Sequence, residues 1–251
     1  MKAAWYESQG PARSVLTVDE LPDPQPGMGE VRLRVMASGI NPGDVKKRSD
    51  EFGVGMPYPR VIPHSDGSGV IDAIGDGVSR VSVGDRVWCF GGQSYRPFGT
   101  AAQYAVVPAT NVAALPDHVD FIQGSCLGIP GITAHRAVHA GGSPHGKCLL
   151  VQGGAGAVGL AAVALARLAG ARIIATVRSE AHETAASSAG AQAVIRTDGK
   201  SSDDVVSLIQ DAAQGGVDHV VEVAFHDNVS VDEQVLRQGG TIATYATRDA
   251  S

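Results

Sequence analysis

Cysteine is scarce in this chain and widely scattered. Cys89, Cys126 and Cys148 are the only three in 251 residues. An odd number at such spacing builds neither a disulfide framework nor a paired-cysteine zinc knuckle, so free thiols are expected. Long apolar runs are missing as well, and the richest stretch, 158–166, is alanine-heavy and cut by Arg167, which reads as a buried helix. The first residues, MKAAWYESQG, carry no apolar h-region and no cleavage site. The expectation is a soluble protein of a reducing compartment, the cytoplasm, without a membrane partner. Basic charge is in short supply: 20 Lys and Arg stand against 26 Asp and Glu, a net charge of -6. Nucleic acid is therefore not an expected partner.

Glycine, by contrast, is plentiful. Its 32 residues, with 13 prolines, indicate many turns and close backbone approaches. Hydrophobic residues, at 43%, suffice for a packed core, and at about 150 residues per domain the chain accommodates one large or two medium domains. Residues 1–110 read as short strands punctuated by Gly and Pro. In 30–37, Val31, Leu33 and Val35 alternate with Arg32 and Arg34, the pattern of a half-buried strand. Further strands are expected at 70–74, 85–89 and 101–107, with a polar turn over 39–44. Together they suggest a small all-β or barrel-like unit.

Beyond residue 120 the pattern changes. Helices are expected at 121–126 and 133–140. Strands at 148–152, 173–177, 193–195, 217–221 and 241–245 then alternate with helices at 158–168, 179–188, 203–213 and 229–236. That alternation predicts an α/β fold with a doubly wound parallel sheet covered on both faces. The sequence stops after the fifth such strand, where dinucleotide domains of this type ordinarily have six. The expectation is a fragment or a sheet one strand short.

The segment CLLVQGGAGAVGLAAVALARLAGA, 148–171, carries the strongest local signal. Gly154, Gly156 and Gly159 fit G-x-G-x-x-G after an apolar strand and at the opening of an apolar helix, with Gly153 just before them. Such a loop lets the backbone approach a pyrophosphate, whose oxygens take the free N–H groups of the helix start. Gly153, Gly154, Ala155, Gly156, Ala157 and Val158 are the candidate phosphate contacts. A carboxylate that would bond the ribose hydroxyls of NAD is expected about 20 residues on, at the end of the second strand. Here that place holds Arg178 and Ser179, and no acid occurs before Glu180. Arg178 and Ser179, with His182 one helical turn further, suit a 2′-phosphate, so NADP(H) is favoured over NAD. Ordinary exposed surface roles remain open for Arg178 and His182.

The chain resembles the medium-chain dehydrogenase/reductase superfamily, most closely its zinc-independent quinone oxidoreductase and zeta-crystallin branch. The likeness runs through ASGINPGDVKKR at 37–48, VIPHSDGSGVIDAIGDGVSRVSVGDRVW at 61–88 and GIPGITAHRAV at 128–138. The glycine loop and VEVAFHDNVSVDEQVLRQGGTIATYAT at 221–247 complete it. It implies a GroES-like β-rich catalytic domain over 1–122 and a Rossmann domain over 123–251, with the active site between them. Members of the superfamily continue past the Rossmann sheet and return to complete the catalytic domain; that C-terminal return segment is expected to be missing here. Zinc-dependent relatives carry a Cys near Gly39 and a His-Glu pair where this chain has Ser65-Asp66, while His64 sits one position early. No metal is therefore expected.

The resemblance further implies that Asn41 and Asp44 line the nicotinamide and substrate side, with Asn41 also on the cofactor. Asn-Pro-Gly-Asp is equally ordinary turn chemistry. Many bacterial relatives carry Tyr where this chain has Lys46. The resemblance brings Thr133 near the nicotinamide, although a helix-start role fits it as well. Ala224, Phe225, Tyr245 and Ala246 follow strand ends and are candidate cofactor walls. Glu222 reads either as a site acid or as a paired structural group. The implied activity is hydride transfer from NADPH to a quinone or a similar conjugated carbonyl in a homodimer. An alkenal or enone reductase is the enzymatic alternative, and a zeta-crystallin-like structural or RNA-binding protein the other.

Overall fold

The fold is described by a computed structural model covering residues 1–246; the tail of the expected second domain, 247–251, lies outside the described residues. The chain divides into two compact units, Met1–Ile129 and Pro130–Ser251.

The first unit is built on an antiparallel sheet. β1 (Lys2–Trp5) and β2 (Thr17–Glu20) pair as a ribbon, with a single turn of helix, α1 (Ala12–Val15), between them. β3 (Glu30–Gly39), β4 (Asp66–Ile74), β5 (Arg86–Cys89), β6 (Tyr104–Pro108) and β7 (Val112–Ala114) form one five-stranded sheet in the order β6-β3-β4-β5-β7. The alternation read in β3 is used as expected: Val31 and Leu33 are fully buried and pack with Ile71, Val87 and Val107. Burying each such side chain contributes about 1.5–3 kcal/mol.

The polar turn expected over 39–44 is corrected by the structure. β3 runs on to Gly39, and α2 (Pro42–Ser49) starts three residues later. Nothing apolar and periodic marks this helix, yet its ends carry helix chemistry. Pro42 fixes φ at the first position, Asp44 faces the positive N-terminus, and Lys46, Lys47 and Arg48 sit in the last turn. β4 also begins four residues before the expected strand. α3 (Phe121–Ser125) closes this unit, capped by the Asp120 side chain, which accepts from the Gln123 N–H.

The second unit is a parallel sheet of five strands. α4 (Ile132–His139) leads to β8 (Cys148–Val151), α5 (Ala157–Leu168), β9 (Arg172–Val177), α6 (Glu180–Ala189), β10 (Ala193–Arg196), α7 (Ser202–Ala213), β11 (Val217–Glu222), α8 (Phe225–Val235) and β12 (Leu236–Thr244). The strand order is β10-β9-β8-β11-β12. β8 shows why its sequence is apolar throughout. Leu149 and Val151 join the core that includes Ala162, Val163 and Ala166 of α5, while Cys148 and Leu150 join the opposite one with Ile209 of α7 and Val235 of α8. Both faces are covered, as the fold class requires. The helix expected at 229–236 begins earlier, at Phe225, because polar His226, Asp227 and Asn228 make its first turn.

From β8 the chain winds outward to β9 and β10 on one side, then crosses to β11 and β12 on the other. This reversal at β8 and β11 leaves a crevice at the carboxyl ends of the strands, where ligands bind in sheets of this kind. No helix among the described residues is long and apolar enough to cross a membrane.

Candidate functional site

A cavity of about 620 Å³ occupies that crevice, a size typical of small-molecule sites. The glycine loop forms its floor. Gly153 has φ +65°, a left-handed conformation in which glycine is favoured. Its N–H donates to Thr176 Oγ1 at 3.1 Å, and the Gly154 N–H donates to the Thr176 carbonyl at 2.8 Å. These bonds hold the loop to the end of β9. Gly156 is the N-cap of α5 and supplies no side-chain cap. The first-turn N–H groups of α5 thus lack intrahelical acceptors and carry the positive end of the helix dipole.

Each glycine has its own reason. A Cβ on Gly159 would overlap the Gly153 carbonyl oxygen and lie 2.8 Å from Gly154 Cα. A Cβ on Gly154 would lie 2.7 Å from that of Ala175. Gly156 is different: the nearest atom to a Cβ there is 3.4 Å away, so the methyl would fit the protein and project where the loop lines the cavity.

At the far end, β9 delivers Arg178 and α6 delivers His182 to the cavity wall. Arg178 has no ion-pair partner among the described residues. Ser179 is the N-cap of α6 without a side-chain cap bond, and it is not in the lining. Sequence reasoning missed Lys200, which lines the same wall from the loop after β10. Applying the strand-end rule to the third strand as well as the second would have found it. Gln152, Thr176 and Asn228 were missed too.

Of the remaining candidates, Ala155 and Ala224 line the cavity. Gly154, Ala157 and Val158 belong to the loop and the start of α5 but are not in its lining. Phe225 opens α8, and its N–H reaches the Ala246 carbonyl at 3.4 Å, while the Tyr245 N–H donates to the Glu222 carbonyl at 3.2 Å. Burial and the Glu222 charge push the Tyr245 hydroxyl up to about 12. Thr133 sits half-buried in the first turn of α4, outside the lining.

Asn41 and Asp44 belong to the first unit, both buried. The Asn41 N–H donates to Asp44 Oδ2 at 2.8 Å, so the carboxylate caps α2. Asn41 Nδ2 donates to Asp66 Oδ2, also at 2.8 Å, and the Ile129 N–H donates to the same oxygen. Burial pushes the Asp66 carboxyl up to about 6, against the pull of these two hydrogen bonds. His64 adopts φ +75°, with its Nδ1 2.9 Å from Ser38 Oγ, and burial lowers its basicity. Among the described residues no three His, Cys, Asp or Glu side chains are grouped to hold a metal ion.

An uncapped helix start behind a glycine loop, at the switch point of a parallel sheet, defines a dinucleotide-binding unit of the Rossmann type. The known proteins it matches make this more specific. Residues 27–117 match the alcohol dehydrogenase GroES-like domain, and residues 157–251 match the zinc-binding dehydrogenase family. Quinone oxidoreductase from Rattus norvegicus is 34% identical over 228 residues, which cover 90% of this chain and 67% of the rat protein. The Homo sapiens quinone oxidoreductase is 32% identical over 244 residues, covering 97% of this chain and 72% of that protein. A mycobacterial structure complexed with NADPH superposes with a TM-score of 0.83 at 27% identity, over 98% of this chain and 74% of that one. The chain belongs to the medium-chain dehydrogenase/reductase superfamily, in its quinone oxidoreductase branch.

Proposed function

We propose that the protein is an NADPH-dependent reductase of quinones and similar conjugated carbonyls that works without a metal. One observation carries the reading: a phosphate loop, two cationic side chains, Arg178 and Lys200, and the His182 imidazole line the same cavity. The loop N–H groups and the α5 start take the pyrophosphate, and Arg178 and Lys200 take the 2′-phosphate, where a carboxylate would repel it. When bound, the nicotinamide supplies the hydride. The chain's own contribution is to bind, orient and polarise. Asn41 and Asp44 are assigned to the acceptor side, Asn41 with its amide held by Asp66. Thr133, Phe225, Tyr245 and Ala246 are assigned to the nicotinamide and adenine walls. In the same reading the protein works in the cytoplasm as a homodimer, with its catalytic domain over 1–122 and its cofactor domain over 123–251.

The test is a titration with NADPH and NADH, followed by turnover on a small quinone and an enone. NADPH is expected to bind more tightly. Arg178→Ala and Lys200→Ala should each weaken NADPH about tenfold or more, the loss of a hydrogen bond to a charged group, and leave NADH unchanged. Equal affinity for both nucleotides, untouched by either substitution, overturns the phosphate assignment. Faster enone than quinone turnover selects the enone reductase. Binding without oxidation by any acceptor selects the cofactor-binding protein.

A further inference from the structure

Behind the cavity two acids are completely buried, Glu222 at the end of β11 and Asp232 on α8. Each anchors a separate chain of hydrogen bonds. Asp232 Oδ1 accepts from Gln152 Nε2 at 2.8 Å, Gln152 Oε1 accepts from Thr176 Oγ1 at 2.6 Å, and Thr176 Oγ1 accepts from the Gly153 N–H. That chain ends in the phosphate loop. Glu222 accepts from the Ala224 N–H and from Asn228 Nδ2, the latter at 3.0 Å. That chain ends in the opposite wall. Asp232 Oδ2 has no partner although it is buried, and the Glu222 carboxyl lies within hydrogen-bonding reach of Asp232.

Two carboxylates cannot face each other in a dry interior without a proton between them. We propose that Asp232 carries that proton on Oδ2 and donates it to Glu222, so that one hydrogen bond ties the phosphate loop to the opposite wall and Asp232 positions the loop for the cofactor. The proton satisfies the orphaned Asp232 Oδ2. It also fixes the Gln152 amide, nitrogen toward Asp232 and oxygen toward Thr176, which leaves Thr176 Oγ1 free to accept from Gly153. Loss of the proton places two like charges in contact. One side chain must then move, and it takes Gln152 or Asn228 with it.

The surroundings agree. Burial and Glu222 push the Asp232 carboxyl up to about 8, and only the Gln152 amide pulls it down. Tyr245, after β12, is the other titratable neighbour of Glu222 and stays protonated to about 12. α7, packed against α8, buries only Val205, Val206, Ile209 and Ala213. Asp227 on α8 lines the cavity, with Arg178, His182 and Lys200 across it.

The role in cofactor binding rests on the dinucleotide reading above; the shared proton does not. NADPH affinity is measured from about pH 7 to 9.5, above the midpoints at which a phosphate monoester and an ordinary imidazole titrate. The wild type should lose about tenfold, the effect of a broken buried hydrogen bond. Asp232→Asn, which keeps the donor and removes the titration, should hold the pH 7 affinity within about twofold throughout. A flat wild-type profile, or the same fall in both proteins, overturns the proposal. Infrared spectroscopy of the ligand-free wild type gives a readout that does not depend on the variant folding. A protonated-carboxyl carbonyl band should be present at pH 7 and titrate near the value given above. Its absence overturns the proposal whatever binds. A titrating band in a protein that binds no dinucleotide supports the shared proton and fails the cofactor reading alone.

Discussion

The glycine loop makes two demands that a methyl group separates. At Gly159 a Cβ meets only backbone: the Gly153 carbonyl oxygen, Gly154 Cα at 2.8 Å and Gly154 C at 2.9 Å. None of these can rotate away, so α5 must draw back from β8. Such overpacking costs about 1–3 kcal/mol. Alanine in a helix recovers about 0.8–1 kcal/mol of propensity over glycine, which does not offset the upper part of that range. Because every atom met is rigid backbone, the cost lies in the upper half of that range, about 2–3 kcal/mol, and the expected net loss for Gly159→Ala is about 1–2 kcal/mol, or a fall in Tm of roughly 2–8 °C for a chain of this length. At Gly156 φ is −72° and the nearest atom is 3.4 Å away. Alanine is a poorer N-cap than glycine by about half a kcal/mol or more, but it restricts the unfolded chain by a similar amount. The melt of Gly156→Ala should therefore stay close to wild type. Its methyl nonetheless occupies the space where the loop would approach a pyrophosphate, and NADPH affinity should fall about tenfold or more. Differential scanning calorimetry and isothermal titration on the two variants separate the cases. Gly159→Ala loses both stability and affinity; Gly156→Ala loses affinity alone. Wild-type NADPH binding by Gly156→Ala would refute the idea that phosphates lie on this loop.

Two predictions concern the first unit. Asp66 titrates at about 6 in the folded protein against an ordinary value of 3.8. Between these values the folded state holds a proton that the unfolded state releases, so stability falls as pH rises from about 4 to about 6 and is level above. The interval corresponds to about 3 kcal/mol as a ceiling. Denaturant midpoints measured across it should decline in the wild type and flatten in Asp66→Asn. Asn41→Ala removes the donor at 2.8 Å to Asp66 and leaves a buried carboxyl short of a partner. A cost of about 1–3 kcal/mol is expected, and because the Asn41 N–H to Asp44 remains, α2 should keep its circular dichroism.

What the sequence revealed and what it hid follow from how far apart the interacting groups lie along the chain. The glycine loop was readable because its strand, turn and helix are contiguous, and β8 was readable because a strand buried on both faces has no polar register. α2 was hidden because its stability comes from its ends, Asn41, Pro42 and Asp44 at one and Lys46, Lys47 and Arg48 at the other, and not from an apolar stripe. Lys200 was hidden because the loop after β10 meets the loop after β9 only once β10 pairs beside β9 in the sheet. The carboxyl pair was the least visible. Glu222 and Asp232 are separated by a strand end and about two helical turns, and each alone reads as an ordinary acid. Only when α8 folds back on β11 do both lose water at once, and that joint loss creates the need for a proton. Local chemistry is written in neighbouring residues; charge frustration, and the groups that resolve it, are properties of the sheet order.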